Sequence, residues 1–373
     1  EITRKNKFDR KNYFYPDLPK AYQISQLYYP ICRNGHVDIR TANGGRTIGI
    51  HEIHMEEDAG KLVHDPVTGM TMVDFNRCGV PLLEIVSEPD FRSAEEVIAY
   101  LTKLKDTMQY LGVSDCKMQE GSMRCDVNLS VRPEGQKEFG TRTEMKNIAS
   151  LRAIERAIEY ERERQIDVIE EGGSITQETR RWDDDKEYTY CMRSKENAQD
   201  YKYFPDPDLM PVEISDEYLE EVRASLPEFA DAKRGRYVRE FGLPEYDADI
   251  ITGATSLVKI FEKATAVTNQ PKDVSNWLMT DLLKLCKDEG TAAEDMTFDG
   301  GRLGTIINMV NAGKINRKTG REVLAEIYSN GGDPEEYVKS HNLAQVSDSS
   351  AIEPVIENVL AANGKAVSEY LAG

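Results

Sequence analysis

The apolar residues of this chain change their spacing partway along, and that change limits what it can fold into. Up to about residue 215 they mostly alternate, in short runs broken by turn residues. From residue 216 onward they recur at helical spacing. The clearest alternation runs from Met123 to Arg132. Met123, Cys125, Val127, Leu129 and Val131 share one face, and Arg124, Asp126, Asn128, Ser130 and Arg132 share the other. Thr141 to Lys146 alternates too, with Arg142, Glu144 and Lys146 on one side. Two hairpins are expected, one turning at Asn43-Gly44-Gly45 and one at Asp65-Pro66. Two helices interrupt the strands. The first, over 93–111, opens with the capping pair Ser93 and Glu96 and ends at Gly112; the second runs from about Ser150 to Glu171. The pattern predicts an α+β fold: a largely antiparallel sheet domain over 1–215 with flanking helices, then helical domains over 216–294 and 295–373. The last of these has the stripe Ile352, Val355, Ile356 and Val359.

A length of 373 residues is too much for one ordinary core. The net charge of −19 argues against a chain that is basic throughout, as nucleic-acid binders commonly are, but leaves room for a local basic patch. Lys314, Arg317, Lys318 and Arg321 form such a patch, with no acid between the first and the last. A solvated helix end is the plainer reading of it. The six cysteines are scattered without a C-x-x-C, so neither a zinc ribbon nor a disulfide framework is indicated, and a reducing cytoplasm is the expected home. No stretch reaches the apolar length of a membrane span, and no secretory signal opens the chain.

The chemistry-bearing residues are acids. Glu84 interrupts the apolar run Pro81-Leu82-Leu83-Glu84-Ile85-Val86. A carboxylate in a buried strand needs a partner, because desolvating an unpaired charge costs on the order of several kcal/mol. Glu56 and Glu57 lie just before Ala59-Gly60, and Asp126 and Glu144 lie on the polar faces described above. Hard oxygen ligands without histidine or cysteine suit magnesium better than zinc. His51 and His54 fall on opposite faces of a strand and would not easily share a metal. There is no G-x-x-x-x-G-K-[ST] phosphate loop. Basic residues are close by in sequence: Arg77, Arg124, Arg142 and Lys146, and, near the start, Arg10 and Lys11 with Tyr13. Acids and cations together suit phosphoryl transfer. Separated acids are more often plain surface ion pairs, and the residues alone leave both readings open.

Val73-Asp74-Phe75-Asn76-Arg77 followed by Pro81 to Pro89 resembles the signature of the B subunit of the glutamyl/aspartyl-tRNA amidotransferases. The resemblance extends through FDRKNYFYPDLPKAYQIS, EGSMRCDVNLSVRP, TEMKNIAS and DYKYFPDPDLMP, and so over nearly the whole chain. It implies a cradle-like catalytic domain followed by helical domains that hold tRNA. It implies ATP-dependent activation of the side-chain carboxylate of misacylated Glu-tRNA(Gln), or Asp-tRNA(Asn), as an acyl phosphate. Ammonia released from glutamine by the A subunit then completes the amide, in a complex that also contains a small C subunit. Catalytic acids fall on Glu57 and Glu84, sharing one magnesium, with Glu56, Asp126 and Glu144 near a second. Arg10, Lys11, Tyr13, Arg77 and Lys146 become substrate- or phosphate-binding, and the basic patch at 314–321 becomes a tRNA contact. The family's opening G-x-E-x-H strand has no counterpart here, and its tail continues past Gly373, so the resemblance implies a chain short at both ends. The rival readings are a tRNA-holding scaffold without chemistry and a stand-alone magnesium phosphohydrolase.

Overall fold

Turn residues decide where the strands of the first unit pair. A computed structural model describes residues 1–194, 201–345 and 349–371. The chain divides into two compact units, Glu1–Pro227 and Glu228–Gly373. In the first unit the strands are β1 (Lys5–Asn6), β2 (Asp9–Asn12), β3 (Tyr22–Ser25), β4 (Cys32–Thr41), β5 (Gly44–Glu57), β6 (Lys61–His64), β7 (Thr71–Asp74) and β8 (Pro81–Ser87). They continue as β9 (Val127–Leu129), β10 (Thr143–Lys146), β11 (Glu178–Asp183), β12 (Tyr188–Ser194), β13 (Phe204–Pro205) and β14 (Val212–Glu213). The expected hairpins are β4–β5 and β6–β7. Gly44 turns the first of them at φ 115°, a backbone conformation that side chains disfavour.

These strands form several small sheets rather than one broad sheet. Among the described residues the larger ones run β12-β11-β10-β9, β13-β2-β3 and β4-β5-β8. Helix α1 (Ala94–Leu111) starts where Ser93 accepts from the Glu96 N–H and stops at Gly112, φ 69°. Strand pairing is antiparallel except between β10 and β11, whose connection passes through helix α2 (Leu151–Glu170). Ile39, Ile48, Tyr100, Met145, Ile154 and Trp182 form the core between these helices and the sheets. A short helix, α3 (Asp216–Ser225), ends the unit.

The alternation from Met123 to Arg132 makes a much shorter strand than its pattern promises, because only Val127–Leu129 finds a partner, at Thr143–Met145 on β10. Its two faces still hold. Met123, Cys125, Val127 and Leu129 pack on the core, and Arg124 and Asp126 reach acids and bases instead. The run around Glu84 departs from expectation more sharply. β8 is an edge strand, Leu83 is exposed, and the Glu84 side chain is 53 % exposed, so the apolar run is not a buried strand.

Behind β10 sits a buried charge. Glu161 on α2 is fully buried and accepts hydrogen bonds from Thr143 Oγ1 (2.8 Å), Thr189 Oγ1 (2.9 Å), Gln165 Nε2 (3.0 Å) and Arg164 Nη2 (2.7 Å). Burial alone would raise its pKa; these donors outweigh that and hold it below the usual carboxylate range. The network ties α2 to β10 and β12, and so fixes the strand that carries Glu144 and Lys146.

The second unit is helical: α4 (Ala230–Phe241), α5 (Glu245–Thr252), α6 (Thr255–Thr268), α7 (Pro271–Trp277), α8 (Leu283–Asp288), α9 (Gly300–Asn311), α10 (Arg317–Asn330), α11 (Pro334–Ser340), α12 (Ser349–Ala362) and α13 (Gly364–Leu371). α6, α9 and α10 share one core, with Leu257, Phe261, Trp277, Leu303, Ile306 and Leu324 inside it. α9 crosses α6 closely: a Cβ on Gly300 would meet the Ile260 carbonyl oxygen at 2.2 Å. The residues around Asp295, where a domain break is expected, form a short 3-10 turn, and buried residues on both sides of it, Cys286 and Leu303 among them, belong to one core cluster. Val355, Ile356 and Val359 of α12 are exposed, and the Ile352 side chain is outside the described set.

Removing the acid of the buried network should be costly. Glu161→Ala leaves Arg164 without its buried counter-charge and Arg180 with Glu178 alone, and should lower unfolding free energy by about 3–5 kcal/mol, read from urea melts. A loss below about 1 kcal/mol would mean the network is not structural.

Candidate active site

Strand pairing assembles the site's centre. In the β5–β8 ladder His54 lies directly opposite Glu84, and Glu56 follows two positions after His54 on the same face. His54, Glu56 and Glu84 each offer one ligand atom within 4.8 Å of the others. His54 Nε2 is 3.4 Å from Glu84 and 3.7 Å from Glu56. Its Nδ1 is buried without a hydrogen bond, and Glu52 lies 3.5 Å away. Ser25 Oγ donates to Glu56 at 3.3 Å.

Charge accumulates here. Burial alone would push the His54 pKa down, but Glu56 and Glu84 together outweigh burial and hold it up at about 9. Glu84 is held down in turn, chiefly by His54, with Lys11 and Lys146 adding to the field. Three tyrosines face the same region. Tyr13 and Tyr203 titrate above the usual phenol range, first through burial and then through carboxylates that include Glu56. Tyr201 lies between them, 5.9 Å from the Tyr13 ring and 6.3 Å from that of Tyr203.

Glu57 is not in this group. Its carboxylate pairs with Lys20 and accepts the Ile24 N–H at 3.1 Å, because period two turns it to the face opposite Glu56. Glu57, expected to share an ion with Glu84, lies opposite Pro81 in the ladder with its carboxylate on Lys20. Asp126 and Glu144 form a neighbouring cluster around Lys146, at 2.5 and 3.3 Å. Burial would lower the Lys146 pKa, but these acids raise it above the ordinary lysine range. Glu144 also accepts from Thr179 Oγ1 at 3.0 Å.

Several cations expected to bind phosphate are already committed. Arg10 holds Asp206 (2.9 Å) and Asp208 (2.7 Å) and stacks over Tyr22. Arg77 pairs with Asp58 at 3.1 Å and donates to the Ala59 and Gly60 carbonyls, which makes it a clamp on that turn. In the second unit Arg317 and Arg321 both pair with Asp281, which a π-helical turn at Leu278–Leu282 presents to them. Lys314 is paired with Glu335 and Lys318 with Glu322 one turn on in the same helix, so each cation of the basic patch has an acid beside it.

His54 is the residue that sequence reading missed. Its signal was present: it stands two positions before Glu56 and so shares that residue's face, although it cannot share a face with His51. The thiol of Cys125, packed on the core, is pushed up to about 12 by burial and is no nucleophile.

The His54 proton gives a pH signature. Its folded pKa of about 9 exceeds the ordinary 6.5, so its stabilisation is complete below about 6.5 and is lost as pH rises through about 9. Metal-free protein should therefore lose thermal stability across that window, and His54→Gln should lose less. Equal losses in both proteins would place the titration elsewhere.

Residues 1–220 match the family model described as the GatB/GatE catalytic domain, and residues 259–373 match the one described as the GatB domain. The B subunit of the aspartyl/glutamyl-tRNA(Asn/Gln) amidotransferase of Lachnospira eligens is 59% identical over 379 residues, covering 100% of this chain and 78% of the relative. Its counterpart of the same name from Lachnoclostridium phytofermentans is 58% identical over 373 residues, with the same coverage. That of Caldicellulosiruptor saccharolyticus is 50% identical over 376 residues, again with the same coverage. With its β5–β8 acid cluster inside the matched catalytic domain, the chain belongs to the family of aspartyl/glutamyl-tRNA(Asn/Gln) amidotransferase B subunits.

Proposed function

We propose that this chain activates the side-chain carboxylate of glutamate or aspartate misacylated on tRNA, using ATP, and so prepares it for amidation. The carrying observation is the convergence of His54, Glu56 and Glu84 with Lys11 and Lys146 in their field. The relatives' names supply the tRNA substrate and the multi-subunit setting. The working enzyme is a complex with an amidase (A) subunit and a small C subunit, located in the cytoplasm.

The donor set fits a divalent cation: two carboxylates, and an imidazole whose Nε2 faces both of them. One nitrogen among the ligands suits manganese as well as magnesium. When bound, such a cation neutralises phosphate charge and lets the substrate carboxylate approach ATP. The chain's own residues do the rest. Ser25 orients Glu56. Asp126 and Glu144 keep Lys146 protonated and fixed as a cation for the transferring phosphoryl group. Lys11 supplies a second cation on the Glu84 side. The substrate carboxylate oxygen forms a bond to the γ-phosphorus as the bond to ADP breaks. Ammonia from the A subunit then attacks the acyl carbon, and inorganic phosphate leaves. Glu57, Arg10 and Arg77 act one layer out, by holding Lys20, the 206–208 turn and the Asp58–Gly60 turn.

Glu84→Gln keeps the side chain's shape and removes its charge. Phosphate transfer from labelled ATP to Glu-tRNA, measured in the complex with the A and C subunits, should fall at least about a hundredfold. Filter binding of the same tRNA should change little. Near-normal transfer by a folded variant would sink the assignment, and turnover of small phosphate esters without tRNA would favour a phosphohydrolase.

For tRNA, the part of the basic patch offered outward is Lys318, whose side chain is 88% exposed, with Lys314 behind it; Arg317 and Arg321 share Asp281. Lys318→Ala should weaken tRNA binding and reduce its salt slope by about one. An unchanged slope would make the patch a solvated helix face.

A further inference from the structure

The cations around the acid cluster are held in two different ways. Lys20, Lys146, Arg77 and Arg124 are each paired with a carboxylate: Glu57, Asp126 with Glu144, and Asp58 for the two arginines. A cation paired in this way is fixed in place with part of its charge balanced before a substrate arrives. Lys11 is different. Among the described residues it makes no ion pair. Its Nζ lies 5.0 Å from the centroid of the Tyr201 ring and 5.9 Å from that of Tyr13. Both distances fall within the range in which an aromatic face attracts an ammonium group. The two rings meet edge to face, at 71°, so they form two walls of one niche.

Aromatic walls orient a cation without neutralising it, since the ring offers a quadrupole and no net charge. The Lys11 ammonium is thereby aimed while keeping its full charge for an incoming anion. The β2–β3 ladder sets Lys11 opposite Gln23, whose side-chain amide donates to the Glu57 carbonyl on β5, the strand of His54 and Glu56. The backbone makes the niche rigid. The Asn12 N–H donates to the Tyr201 carbonyl at 2.9 Å, and Asn12 Nδ2 donates to the Lys202 carbonyl at 2.7 Å. Lys202 takes a left-handed φ of 44° between Tyr201 and Tyr203. That bend is held by the residue following Lys11, so the lysine and its ring are fixed to each other through the backbone.

We propose that Tyr201 is a positioning residue: its ring, with that of Tyr13, holds the Lys11 ammonium uncompensated beside the acid cluster, ready for the phosphate or carboxylate of the substrate. This rests on the phosphoryl-transfer reading above. Tyr201 touches no reacting atom, and its whole effect on the reaction passes through Lys11.

The test is a double-mutant cycle on phosphate transfer from labelled ATP to Glu-tRNA, in the complex with the A and C subunits. Tyr201→Leu should lower kcat about tenfold while changing the KM for tRNA less than about twofold. Tyr201→Phe keeps the ring and should recover kcat to within about threefold of wild type. In a Lys11→Met background, Tyr201→Leu should cost nothing further. An equal loss from Tyr201→Leu in both backgrounds would overturn the proposal, because a ring that merely supports the fold acts whether or not Lys11 is present. A Phe variant as poor as the Leu variant would overturn it too, by showing that the hydroxyl and not the ring matters. Absence of phosphate transfer in the wild-type complex would instead refute the underlying reading of the site, and is distinguishable from both.

Discussion

The site depends on one cross-strand pair. His54 of β5 faces Glu84 of β8, and the ladder register places them opposite each other. A slip of one residue would send every side chain of β8 to the other face. Glu84 would then leave His54 and Glu56, and Leu83 would take its place. Backbone bonds close both ends of the pairing, from the Asp58 N–H to the Val80 carbonyl and from the Glu88 N–H to the Gly49 carbonyl, each 2.8 Å, and β5 is anchored on its other side. Gln26 Oε1 accepts the Met55 N–H at 3.0 Å, Gln23 Nε2 donates to the Glu57 carbonyl at 2.7 Å, and Glu57 itself caps Ile24. The strand that carries His54 and Glu56 is thus held by buried side-chain amides of the neighbouring Gln23–Gln26 segment. This is the familiar division of labour in a site: reactive groups face solvent or substrate, and packed groups hold them there.

Charge balance explains why so many ionisable side chains gather without disrupting the fold. Glu57 and Asp58, which do not face the centre, have cations of their own, and Asp126 and Glu144 share Lys146. The centre itself is left acidic, with a single imidazole among carboxylates. Such an imbalance is unfavourable for the protein alone and favourable once a cation or a cationic ligand arrives. The chain's net charge of −19 fits this picture only in part, since most of its acids lie on solvated surfaces.

Much of the architecture was legible. Capped helices announce themselves through local bonds, so 93–111 and 150–171 were readable to within a residue or two from Ser93, Gly112 and Ser150. Hairpins with Gly or Asp-Pro turns were readable for the same reason. What pairs at long range was not. β11 and β12 left no expectation at all, and β10 joins β11 in parallel through a helix, which no local signal specifies. Burial was misjudged where it depends on the sheet's edge: Glu84 sits in an apolar run, yet β8 is an edge strand with that carboxylate half in solvent. In the site, alternation correctly separated the faces at Asp126 and Lys146. The same rule, applied to His54 and Glu56, would have brought those two together and turned Glu57 to the other face. The committed state of Arg10, Arg77 and Arg321 was out of reach, because their acids are at Asp206, Asp58 and Asp281, and all but Asp58 lie far along the chain or in another helix.

The order in which these parts can be made during synthesis differs. β4, β5 and β8 are complete by Ser87, so the His54–Glu84 pairing needs no later residue. The first strands are another matter. Lys5 pairs with Glu213 and Arg10 with Phe204, so the start of the unit waits for its end. At ribosomal speeds of roughly 5–20 residues per second, that gap lasts on the order of ten seconds. Throughout it Lys5 to Asn12 has free strand edges and Lys11 lacks its Tyr201 wall. A nascent chain would therefore display the paired His54–Glu84 face well before Lys11 has its aromatic wall, and the exposed edge of β2 is where a chaperone or a wrongly matched strand would first find purchase.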